Sequence, residues 1–445
     1  MLSQGALSPE FDHRIGLSWN HGRVLVGPDS REGTLQTDMP AAGASQAPAF
    51  SWEIGRDGGD IRQPCWLRDA GKRRDRCTNP WEIQEAMERI EIDLGRRSYA
   101  ILIGSGIIRR IGDELESLSL GSKIAIVTNG VVRPLYGNAV AHALKGKGFD
   151  VTTIEIPDGE QHKSLATAER LYDELVDFRM DRTSSIVALG GGVIGDLAGF
   201  VAATYMRGIN FVNLPTTLLA QVDSAVGGKT GVDHPKGKNL IGAFHQPRLV
   251  LCDLDCLKTL PQKEVVAGMA EVIKYGVIAD AGFFSFIESH TKQIVELDVS
   301  TMMEVVRSSC AAKAAVVEED EREAGIRAIL NYGHTLGHAL ESLTGYSRYI
   351  HGEAVAIGMV AAARIALEMK LCDPEVVDRL TGLLMGLGLT TAMPELNPDD
   401  VIAALSHDKK VQDGRVRFVL PERIGKVTIR DDVDPLIVRR VLGSP

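Results

Sequence analysis

The sequence predicts an α/β protein in which a mostly parallel β-sheet is followed by a mainly α-helical region. From Met87 to about Cys256, short apolar or β-branched runs alternate with helical stretches, a pattern typical of βαβ units with both sheet faces covered. Beyond Cys256 helical spacing continues with few strand-like runs. Residues 1–86 match neither pattern, and we interpret them as an atypical extension.

The extension contains all four tryptophans, and it has nine arginines but only one lysine. It lacks the basic start and apolar core of a signal peptide, and it is too acidic for a transit peptide. No helical or alternating period persists through it. We expect residues 1–86 to be poorly ordered, and an additional binding module is the alternative.

In the remaining chain, each predicted element follows from its local pattern. Strands are predicted at residues 98–103, 123–127, 150–156, 185–189, 209–214 and 248–251, and long helices at residues 264–278, 302–317, 328–343 and 353–369. This division predicts an α/β domain at residues 87–258 and a helical domain at 259–445. A cleft between two domains is a usual place for a ligand.

Composition excludes several classes of protein. The 445 residues are 44% hydrophobic and 24% charged, which is globular. No apolar run approaches the roughly 18–20 residues that a membrane helix requires. The net charge of −10 argues against nucleic-acid or anionic-lipid partners. The six cysteines show no paired spacing and are expected to be reduced thiols, which favours a cytoplasmic location.

A glycine-rich turn follows the fourth predicted strand. Gly190-x-Gly192-x-x-Gly195 leads from that strand into a helix, and such glycines let backbone N–H groups approach a pyrophosphate. The turn is not in the first strand–helix unit, and no clear acidic residue follows about 20 residues later, unlike an ordinary Rossmann fingerprint. Phosphate or dinucleotide binding is the functional interpretation, and a turn selected for packing is the alternative.

A second glycine-rich segment runs from Asp223 to Gly231. It ends in Gly-Gly-Lys-Thr like a P-loop, but the full P-loop spacing fails because Asp223 stands five residues before Gly228. An ATPase is therefore disfavoured. The adjacent glycines, together with Lys229, Lys238 and Asn239, favour an anionic ligand over a merely solvated basic loop.

A third group combines histidines and carboxylates. His334 and His338 are four residues apart, so a helix places both on one face. Glu271, His351 and Glu353 add further donors, and imidazole with carboxylate suits zinc or a similar divalent metal. The spacing leaves open which three of these groups bind the metal.

These segments together resemble the 3-dehydroquinate synthases, a family of sugar-phosphate cyclases. The resemblance rests on GGGVIGDLAGFVAATYMRG, DSAVGGKTGVDHPKGKNLIGAF, GMAEVIKYGVI, LNYGHTLGHALE and HGEAVAIG, in that order, and it covers residues 87–445. It implies a Rossmann-like NAD-binding domain, a helical metal- and substrate-binding domain, and a homodimer. It also implies that Glu271, His334 and His351 bind zinc, or alternatively cobalt, and that His338 does not.

The resemblance implies further site residues. For NAD they are Asp158, Gly159, Glu160, Gln161, His162, Lys163, Gly192, Val193, Ile194, Gly195, Asp196, Thr216, Thr217, Lys229, Lys238, Cys256, Leu257, Lys258 and Thr259, with Thr128 and Asn129 near the adenosine. For catalysis they are Lys229, Lys274, Lys313, Glu323, Arg327, Asn331 and His338. For the substrate they are Arg207, Asp223, Asn239 and one of Lys409 and Lys410. Asp233 stands where relatives often have Asn.

The spacing of three of these residues carries a structural expectation. Arg327, Asn331 and His338 are separated by four and then seven residues. These separations are close to one and two helical turns, so one helix face is expected to offer all three to one phosphate.

The resemblance implies a reaction that converts 3-deoxy-D-arabino-heptulosonate 7-phosphate to 3-dehydroquinate. NAD transiently oxidises the C5 hydroxyl, phosphate leaves by β-elimination, hydride returns, the ring opens, and an aldol step closes the carbocycle. The bound phosphate can itself accept the proton, so no side chain is assigned as the general base.

Three alternatives stand beside this interpretation. One is another cyclase, such as a 2-deoxy-scyllo-inosose synthase, which substitutions at Lys313, Asn331 or His338 would favour. A metal-dependent polyol dehydrogenase is the second, and it would release NADH in net amount. A non-enzymatic binding module is the third, and it has no need for metal donors, dinucleotide glycines and an oxyanion-binding set together.

Overall fold

A computed structural model describes residues 19–20, 23–24, 87–345, 348–406, 411–412 and 415–443. The chain divides into two compact units, Met1–Ala49 and Phe50–Pro445. In the first unit, Trp19–Asn20 (β1) pairs antiparallel with Arg23–Val24 (β2). The rest of the predicted extension lies outside the described residues, so its poor order stays a prediction.

The second unit is built on a seven-stranded sheet, to which short hairpins are added. Its strands are β3 (Glu88–Ile92), β4 (Tyr99–Gly104), β5 (Lys123–Asn129), β6 (Asp150–Ile156), β7 (Ser185–Gly190), β8 (Asn210–Pro215), β9 (Lys229–His234), β10 (Gly237–Phe244), β11 (Leu249–Asp253), β12 (Val411–Gln412), β13 (Arg415–Val416), β14 (Phe418–Arg423) and β15 (Lys426–Arg430).

The strand order in the main sheet is β3-β4-β11-β8-β7-β5-β6. Only the edge strand β3 runs antiparallel to its neighbour, and the other pairs are parallel. The six strands predicted from the sequence are confirmed to within two residues at each end. They were recognisable because strands such as β4 and β7 are buried along their whole length and therefore read as continuous apolar runs.

Helices cover the sheet and then form most of the rest of the chain. They are α1 (Ile111–Ser117), α2 (Asn138–Gly146), α3 (Leu165–Asp177), α4 (Gly192–Thr204), α5 (Gln262–Ile278), α6 (Ala281–Ser289), α7 (Thr291–Val295), α8 (Val299–Glu319), α9 (His334–Leu343), α10 (His351–Glu368), α11 (Pro374–Gly386), α12 (Pro398–Ser406) and α13 (Pro435–Leu442). The predicted succession of an α/β part and a helical part is confirmed.

One predicted helix, at residues 328–343, is wrong. Ile326–Asn331 forms a 3-10 turn, and α9 begins only at His334. Between them Gly333 has φ of +79°, and a Cβ there would lie 2.5 Å from Cγ of Met359 in the adjacent helix α10. Glycine adopts this left-handed conformation, which interrupts the helix, and no side chain would fit at this position. Arg327 and Asn331 therefore do not share one helix face with His338, contrary to expectation.

The hydrophobic core crosses the predicted domain boundary at residues 258/259. One cluster joins Ile101 and Val250 of the sheet to Val272 and Val355 of the helical part. Two further clusters pack the remaining sheet surface against α1–α4 and the loops between them. The division into domains 87–258 and 259–445 stays a prediction, but it does not correspond to a gap in the core.

The sheet topology has a switch point between β5 and β7. From β5 the chain continues outward to β6, whereas from β7 it proceeds in the other direction to β8. In open α/β sheets, ligands bind outside the carboxyl ends of the strands at such a switch point. The segments there are Thr128–Asn129, at the end of β5, and the Gly190–Gly192 turn.

Two expectations from composition can be compared with the described residues. The four cysteines among them, Cys252, Cys256, Cys310 and Cys372, are free thiols. In this same part of the chain, every helix is too short or too polar to cross a lipid bilayer.

Candidate active site

Three helices bring together the carboxylate and two imidazoles implied as metal ligands. Glu271 lies in the middle of α5, and His334 and His351 are the first residues of α9 and α10. Nε2 of His334 lies 3.2 Å from Oε1 of Glu271, and Nε2 of His351 lies 3.6 Å from the same oxygen. One donor atom from each residue lies within 4.8 Å of the other two. One cation can therefore contact all three.

The surroundings of Glu271 fit a metal ion. Its side chain is fully buried, yet neither carboxylate oxygen has a well-aligned hydrogen bond, although Lys274 and both imidazoles are close. Buried polar atoms normally have such partners. Nδ1 of His334 lies 3.1 Å from the carbonyl oxygen of Tyr332 and can donate to it, which leaves Nε2 facing Glu271. One carboxylate and two imidazoles are a donor set that suits zinc.

The charges of these groups in the metal-free chain follow from burial and from their neighbours. Burial lowers the pKa of His334 to about 4, so this imidazole is neutral near pH 7. Burial also opposes protonation of His351, but the adjacent carboxylates of Glu271 and Glu341 raise its pKa to about 10. Burial would raise the pKa of Glu271, yet Lys274 and His334 hold it well below its usual range. Glu271 is thus an anionic donor.

Asp223 is the centre of a second, strongly charged cluster. Its Oδ1 accepts hydrogen bonds from Nζ of Lys313 at 2.7 Å and from the Tyr275 hydroxyl at 2.9 Å. Nζ of Lys274 lies 3.8 Å from the same oxygen and also pairs with Glu271. Burial would raise the pKa of Asp223, but the two lysines hold it well below its usual range. Lys274 therefore joins this cluster to the three metal-site residues.

A third cluster surrounds Glu323. This carboxylate pairs with Lys229 and accepts a hydrogen bond from Nδ2 of Asn331 at 2.9 Å. Arg327 is fully buried, and its Nη2 donates to the carbonyl oxygen of Gly227 at 3.1 Å. Gly227 has φ of +94°, and a Cβ there would lie 2.6 Å from that Nη2. Glycine is therefore required for the guanidinium to reach the backbone.

Arg327 is only partly satisfied by these contacts. Nη1 donates to the carbonyl oxygen of Glu321, but Nε has no hydrogen-bond partner among the described residues. Burial lowers the pKa of Arg327, and the nearby carboxylates of Glu323 and Asp223 oppose this effect. A planar donor of this kind suits the oxygens of a carboxylate or a phosphate.

Lys163 connects two residues implied in NAD and substrate binding, Asp196 and Asn239. Its buried Nζ lies 2.6 Å from Oδ2 of Asp196 and donates to Oδ1 of Asn239 at 2.5 Å. Asp233, the departure from the family pattern, accepts a hydrogen bond from the backbone N–H of Asn239 at 2.8 Å. Nζ of Lys238 lies 3.7 Å from Oε1 of Glu160. The hairpin β9–β10 is thereby held against the segment after β6.

Most other residues implied for NAD lie near the carboxyl ends of the parallel strands. Asn129, at the end of β5, donates from Nδ2 to Oδ1 of Asp158 at 2.6 Å. The backbone N–H of Thr216 donates to the carbonyl oxygen of Gly190 at 2.9 Å. The remaining members are Gly159, Gln161 and His162 after β6, Gly192, Val193, Ile194 and Gly195 at the start of α4, Thr217 after β8, and Cys256, Leu257, Lys258 and Thr259 after β11.

Three implied substrate residues are not brought to these clusters by the observed contacts. Arg207 is exposed on the turn after α4, where its φ is +69°, and it makes no hydrogen bond or ion pair with another implied residue in the described segments. Lys409 and Lys410 lie outside the described residues. His338 does lie nearby, with its ring centroid 5.4 Å from that of His334 and 6.2 Å from that of His351.

Three residues with contacts at the site received no role in the sequence analysis. Glu341 faces His351, Tyr275 binds Asp223, and Asp320 accepts hydrogen bonds from the backbone of the loop that carries Glu323. Only Glu341 had a local signal, because it follows His334 by seven residues and thus lies on the same face of a helix. The contacts of Tyr275 and Asp320 depend on how distant segments pack.

Comparison with known proteins identifies the family of the chain. A family profile described as 3-dehydroquinate synthase N-terminal matches residues 153–267, and one described as 3-dehydroquinate synthase C-terminal matches residues 268–411. The chain belongs to the 3-dehydroquinate synthase family. The family assignment made from the five sequence motifs is thereby confirmed, and the protein is an enzyme of this type, a phosphorus–oxygen lyase.

Curated members of the family match over most of the chain. The 3-dehydroquinate synthase of Desulforamulus reducens is 52% identical over 359 residues, which cover 80% of this chain and all of that protein. The enzyme of Microcystis aeruginosa is 52% identical over 356 residues, or 80% of this chain and 97% of that protein. These identities favour 3-dehydroquinate synthase over the other cyclases.

Solved structures of related cyclases share the fold. A 2-epi-5-epi-valiolone synthase from Streptomyces hygroscopicus subsp. jinggangensis, with NAD⁺ and Zn²⁺ bound, is 28% identical, with a TM-score of 0.72 over 77% of this chain and 95% of that one. A 2-deoxy-scyllo-inosose synthase complexed with carbaglucose-6-phosphate, NAD⁺ and Co²⁺ is 28% identical, with a TM-score of 0.71 over 79% of this chain and all of that one. A glycerol dehydrogenase from Schizosaccharomyces pombe, at 18% identity and a TM-score of 0.56 over 77% of this chain and 88% of that one, shares the fold alone.

Proposed function

We propose that the enzyme converts 3-deoxy-D-arabino-heptulosonate 7-phosphate to 3-dehydroquinate and phosphate, with NAD and a divalent metal, zinc in preference to cobalt. One observation carries this proposal. Lys274 lies fully buried between two carboxylates. One is Glu271, a candidate metal ligand, and the other is Asp223, the centre of the second charged cluster. The donors suited to a metal and the cations suited to substrate oxygens are therefore parts of one site, as a cyclase requires.

Glu271, His334 and His351 would hold the metal, and the segments around the switch point would hold NAD. When bound, NAD accepts and returns a hydride, while the metal acts as a Lewis acid on a substrate oxygen. On the protein side, Lys163 keeps Asp196 and Asn239 in place between the nucleotide and the substrate. The early turn of α4 offers backbone N–H groups to the pyrophosphate.

The cations of the site bind the phosphate and carboxylate of the substrate in this proposal. Lys313 is bound to Asp223, Lys229 to Glu323, and Arg327 to backbone carbonyl oxygens. An arriving oxyanion can exchange for these internal partners and form charge-assisted hydrogen bonds. The positioned phosphate accepts the proton during elimination, so the chain supplies orientation and positive charge rather than a dedicated base.

The family resemblance also supports a homodimer and a cytoplasmic location. Sedimentation of the purified protein at micromolar concentration tests the dimer, which a monomeric species would contradict.

Analysis of products and cofactor tests the proposed reaction. The purified protein is mixed with zinc, a trace of NAD and an excess of the heptulosonate phosphate. We expect one phosphate per substrate consumed, formation of 3-dehydroquinate, many turnovers per NAD and no net NADH, because the ketone formed at C5 is reduced again in the same site. Accumulation of NADH equal to the substrate consumed, without phosphate, would replace the proposal with a polyol dehydrogenase.

A pair of lysine variants tests whether the described site carries out this reaction. Lys313→Ala removes a buried cation that contacts Asp223. We expect phosphate release to fall by about ten- to a hundredfold, since one charge-assisted hydrogen bond to a substrate oxyanion is worth about 1.5–3 kcal/mol. Lys292→Ala removes an exposed lysine of α7 and should leave the rate unchanged. Equal rates for both variants would contradict the assignment of Lys313.

A further inference from the structure

His351 lies between two carboxylates, of which the metal site uses only one. Its Nε2 faces Oε1 of Glu271 at 3.6 Å, and its Nδ1 lies 3.3 Å from Oε1 of Glu341. The two nitrogens of an imidazole point in different directions, so the ring can bind a metal through one and donate a hydrogen bond through the other. Glu341 accepts this second contact.

Glu341 is held rigidly in this position. It belongs to α9, its side chain is 8% exposed, and α9 packs closely against α10, which begins with His351. A Cβ at Gly358 of α10 would lie 2.0 Å from the carbonyl oxygen of Gly333, just before α9. Because neither helix can move away without losing this packing, the distance between Glu341 and the ring is fixed by the fold.

We propose that Glu341 is a positioning residue, which orients His351 so that Nε2 is directed to the metal. A carboxylate that accepts from Nδ1–H fixes the tautomer and the ring plane and makes the other nitrogen a stronger donor to the metal. His334 has the equivalent support from the carbonyl oxygen of Tyr332. Each histidine of the metal site thus has its own acceptor. The inference rests on the proposed metal site.

A competing arrangement makes Glu341 a metal ligand. Donor atoms of His338, Glu341 and His351 also lie within 4.8 Å of one another, and this set shares His351 with the first. Two observations favour the positioning role. Glu271 has two buried oxygens without a well-aligned hydrogen bond, whereas Glu341 is already engaged with Nδ1 of His351. A metal bound by His338, Glu341 and His351 would occupy Nδ1 of His351, the nitrogen that otherwise donates to Glu341.

Zinc affinity, measured without reference to activity, tests the proposal. The full-length protein is stripped of metal and titrated with zinc in competition with a chromophoric chelator. We expect Glu341→Gln to bind one zinc per chain with a dissociation constant raised about 10- to 100-fold. Glu341→Asp keeps the charge but withdraws the carboxylate, so it should give an intermediate value, and it serves as the second variant if Glu341→Gln fails to fold.

A matched control separates orientation of the ring from a general loss of negative charge. Glu353→Gln changes a carboxylate two residues from His351, but this carboxylate caps α10 by accepting from the backbone N–H of Ile350, and Gln can do the same. We expect unchanged zinc affinity for this variant. An affinity reduced as much as in Glu341→Gln would overturn the proposal.

Cobalt spectra distinguish positioning from ligation. With cobalt(II) in place of zinc, the visible absorption of Glu341→Gln should keep the wild-type band positions, because the ligands are unchanged. A shifted spectrum or an altered metal stoichiometry would make Glu341 a ligand and overturn the inference. Wild-type affinity in Glu341→Gln would overturn it as well. If wild-type protein and His351→Ala bind zinc equally, the proposed metal site itself fails, a result distinct from the others.

Discussion

Glu271 and Lys274 place two opposite charges in the interior of the helical part. Both side chains are almost completely inaccessible to solvent, and removing one partner of such a pair typically costs about 3–5 kcal/mol. The lysine pairs with Oε2 and keeps the carboxylate ionised, while Oε1 faces two imidazoles. The pair is therefore better explained as the requirement of a cation-binding site than as a contribution to stability.

Two substitutions separate the effect on metal binding from the effect on stability. We expect Glu271→Gln and His351→Ala each to abolish turnover by weakening metal binding, because each removes one of three donors. Only Glu271→Gln should also lower the free energy of unfolding of the metal-free protein, by about 3–5 kcal/mol, because it leaves Lys274 without its nearest counter-ion. Metal analysis and urea unfolding of chelator-treated protein measure the two effects.

A control for this prediction lies in the same helix. Glu264 is exposed in the first turn of α5, so Glu264→Gln should keep both the metal and the stability. Full zinc occupancy in both Glu271→Gln and His351→Ala would exclude these residues as ligands.

Helix α8 leads from the core to the loop that carries Glu323, and an aspartate lies at each end of the helix. Asp298 caps the first turn by accepting from the backbone N–H of Thr301 at 2.9 Å. Asp320, just after the last turn, accepts from the N–H groups of Ala324, Gly325 and Arg327 at 2.8, 2.7 and 3.1 Å. It thereby holds a tight loop in which Glu323 adopts φ of +60°, a conformation that costs a non-glycine residue free energy.

Removal of the Asp320 carboxylate, which holds this loop, is predicted to affect kcat/KM more than metal affinity. We expect Asp320→Ala to lower kcat/KM by about tenfold or more, the equivalent of about one charge-assisted hydrogen bond, with zinc affinity unchanged. Asp298→Ala should destabilise α8 by about 1 kcal/mol and leave kcat/KM near the wild-type value. Equal effects of the two variants on kcat/KM would contradict a specific role for Asp320.

The contribution of Asp320 also has a predicted pH dependence. Burial would raise its pKa, but the hydrogen bonds from the loop hold it below the usual 3.8. A carboxylate with a lowered pKa in the folded state stabilises the fold fully above its unfolded-state pKa, and this contribution is lost as pH falls through the lowered value. The stability difference between wild-type protein and Asp320→Ala should therefore be constant above about pH 5 and shrink below about pH 4. A difference that stays constant as the pH is lowered below about 4 would contradict this prediction.

At the scale of the whole molecule, the clusters of the site lie on a shared core. Sheet residues and helix residues pack in one hydrophobic cluster, so the clusters around Asp223, Glu323 and Glu271 are fixed relative to one another by the same packing. The 3-dehydroquinate synthase of Desulforamulus reducens matches 359 residues of this chain over its full length. The site geometry described above involves only residues after Met87.

Deletion of residues 1–86 is therefore expected to leave kcat and KM within about twofold of the full-length values. Steady-state kinetics of both proteins measure this. A folded protein starting at Met87 that loses most turnover would assign a role to the extension. As a control, a protein starting at residue 94 should lose stability, because it lacks β3, which pairs with β4 along five residues and buries Ile92.

The local sequence was sufficient for six strands of the main sheet, for most of the long helices and for the family. Fully buried parallel strands read as continuous apolar runs, and long amphipathic or buried helices keep their period, so both depend on neighbouring residues only. The glycine-rich turn after β7 and the five motifs identified the residues implied at the site for the same reason, since each motif is contiguous.

Tertiary structure decided how these residues meet. The helix predicted at residues 328–343 is interrupted at Gly333, where a left-handed backbone packs against Met359 of α10, about 25 positions away along the chain. Spacing left open which of the histidines and carboxylates form the metal site. Glu271, His334 and His351 come together because α5, α9 and α10 pack against one another, and distances between helices are set by side-chain packing that no local pattern encodes.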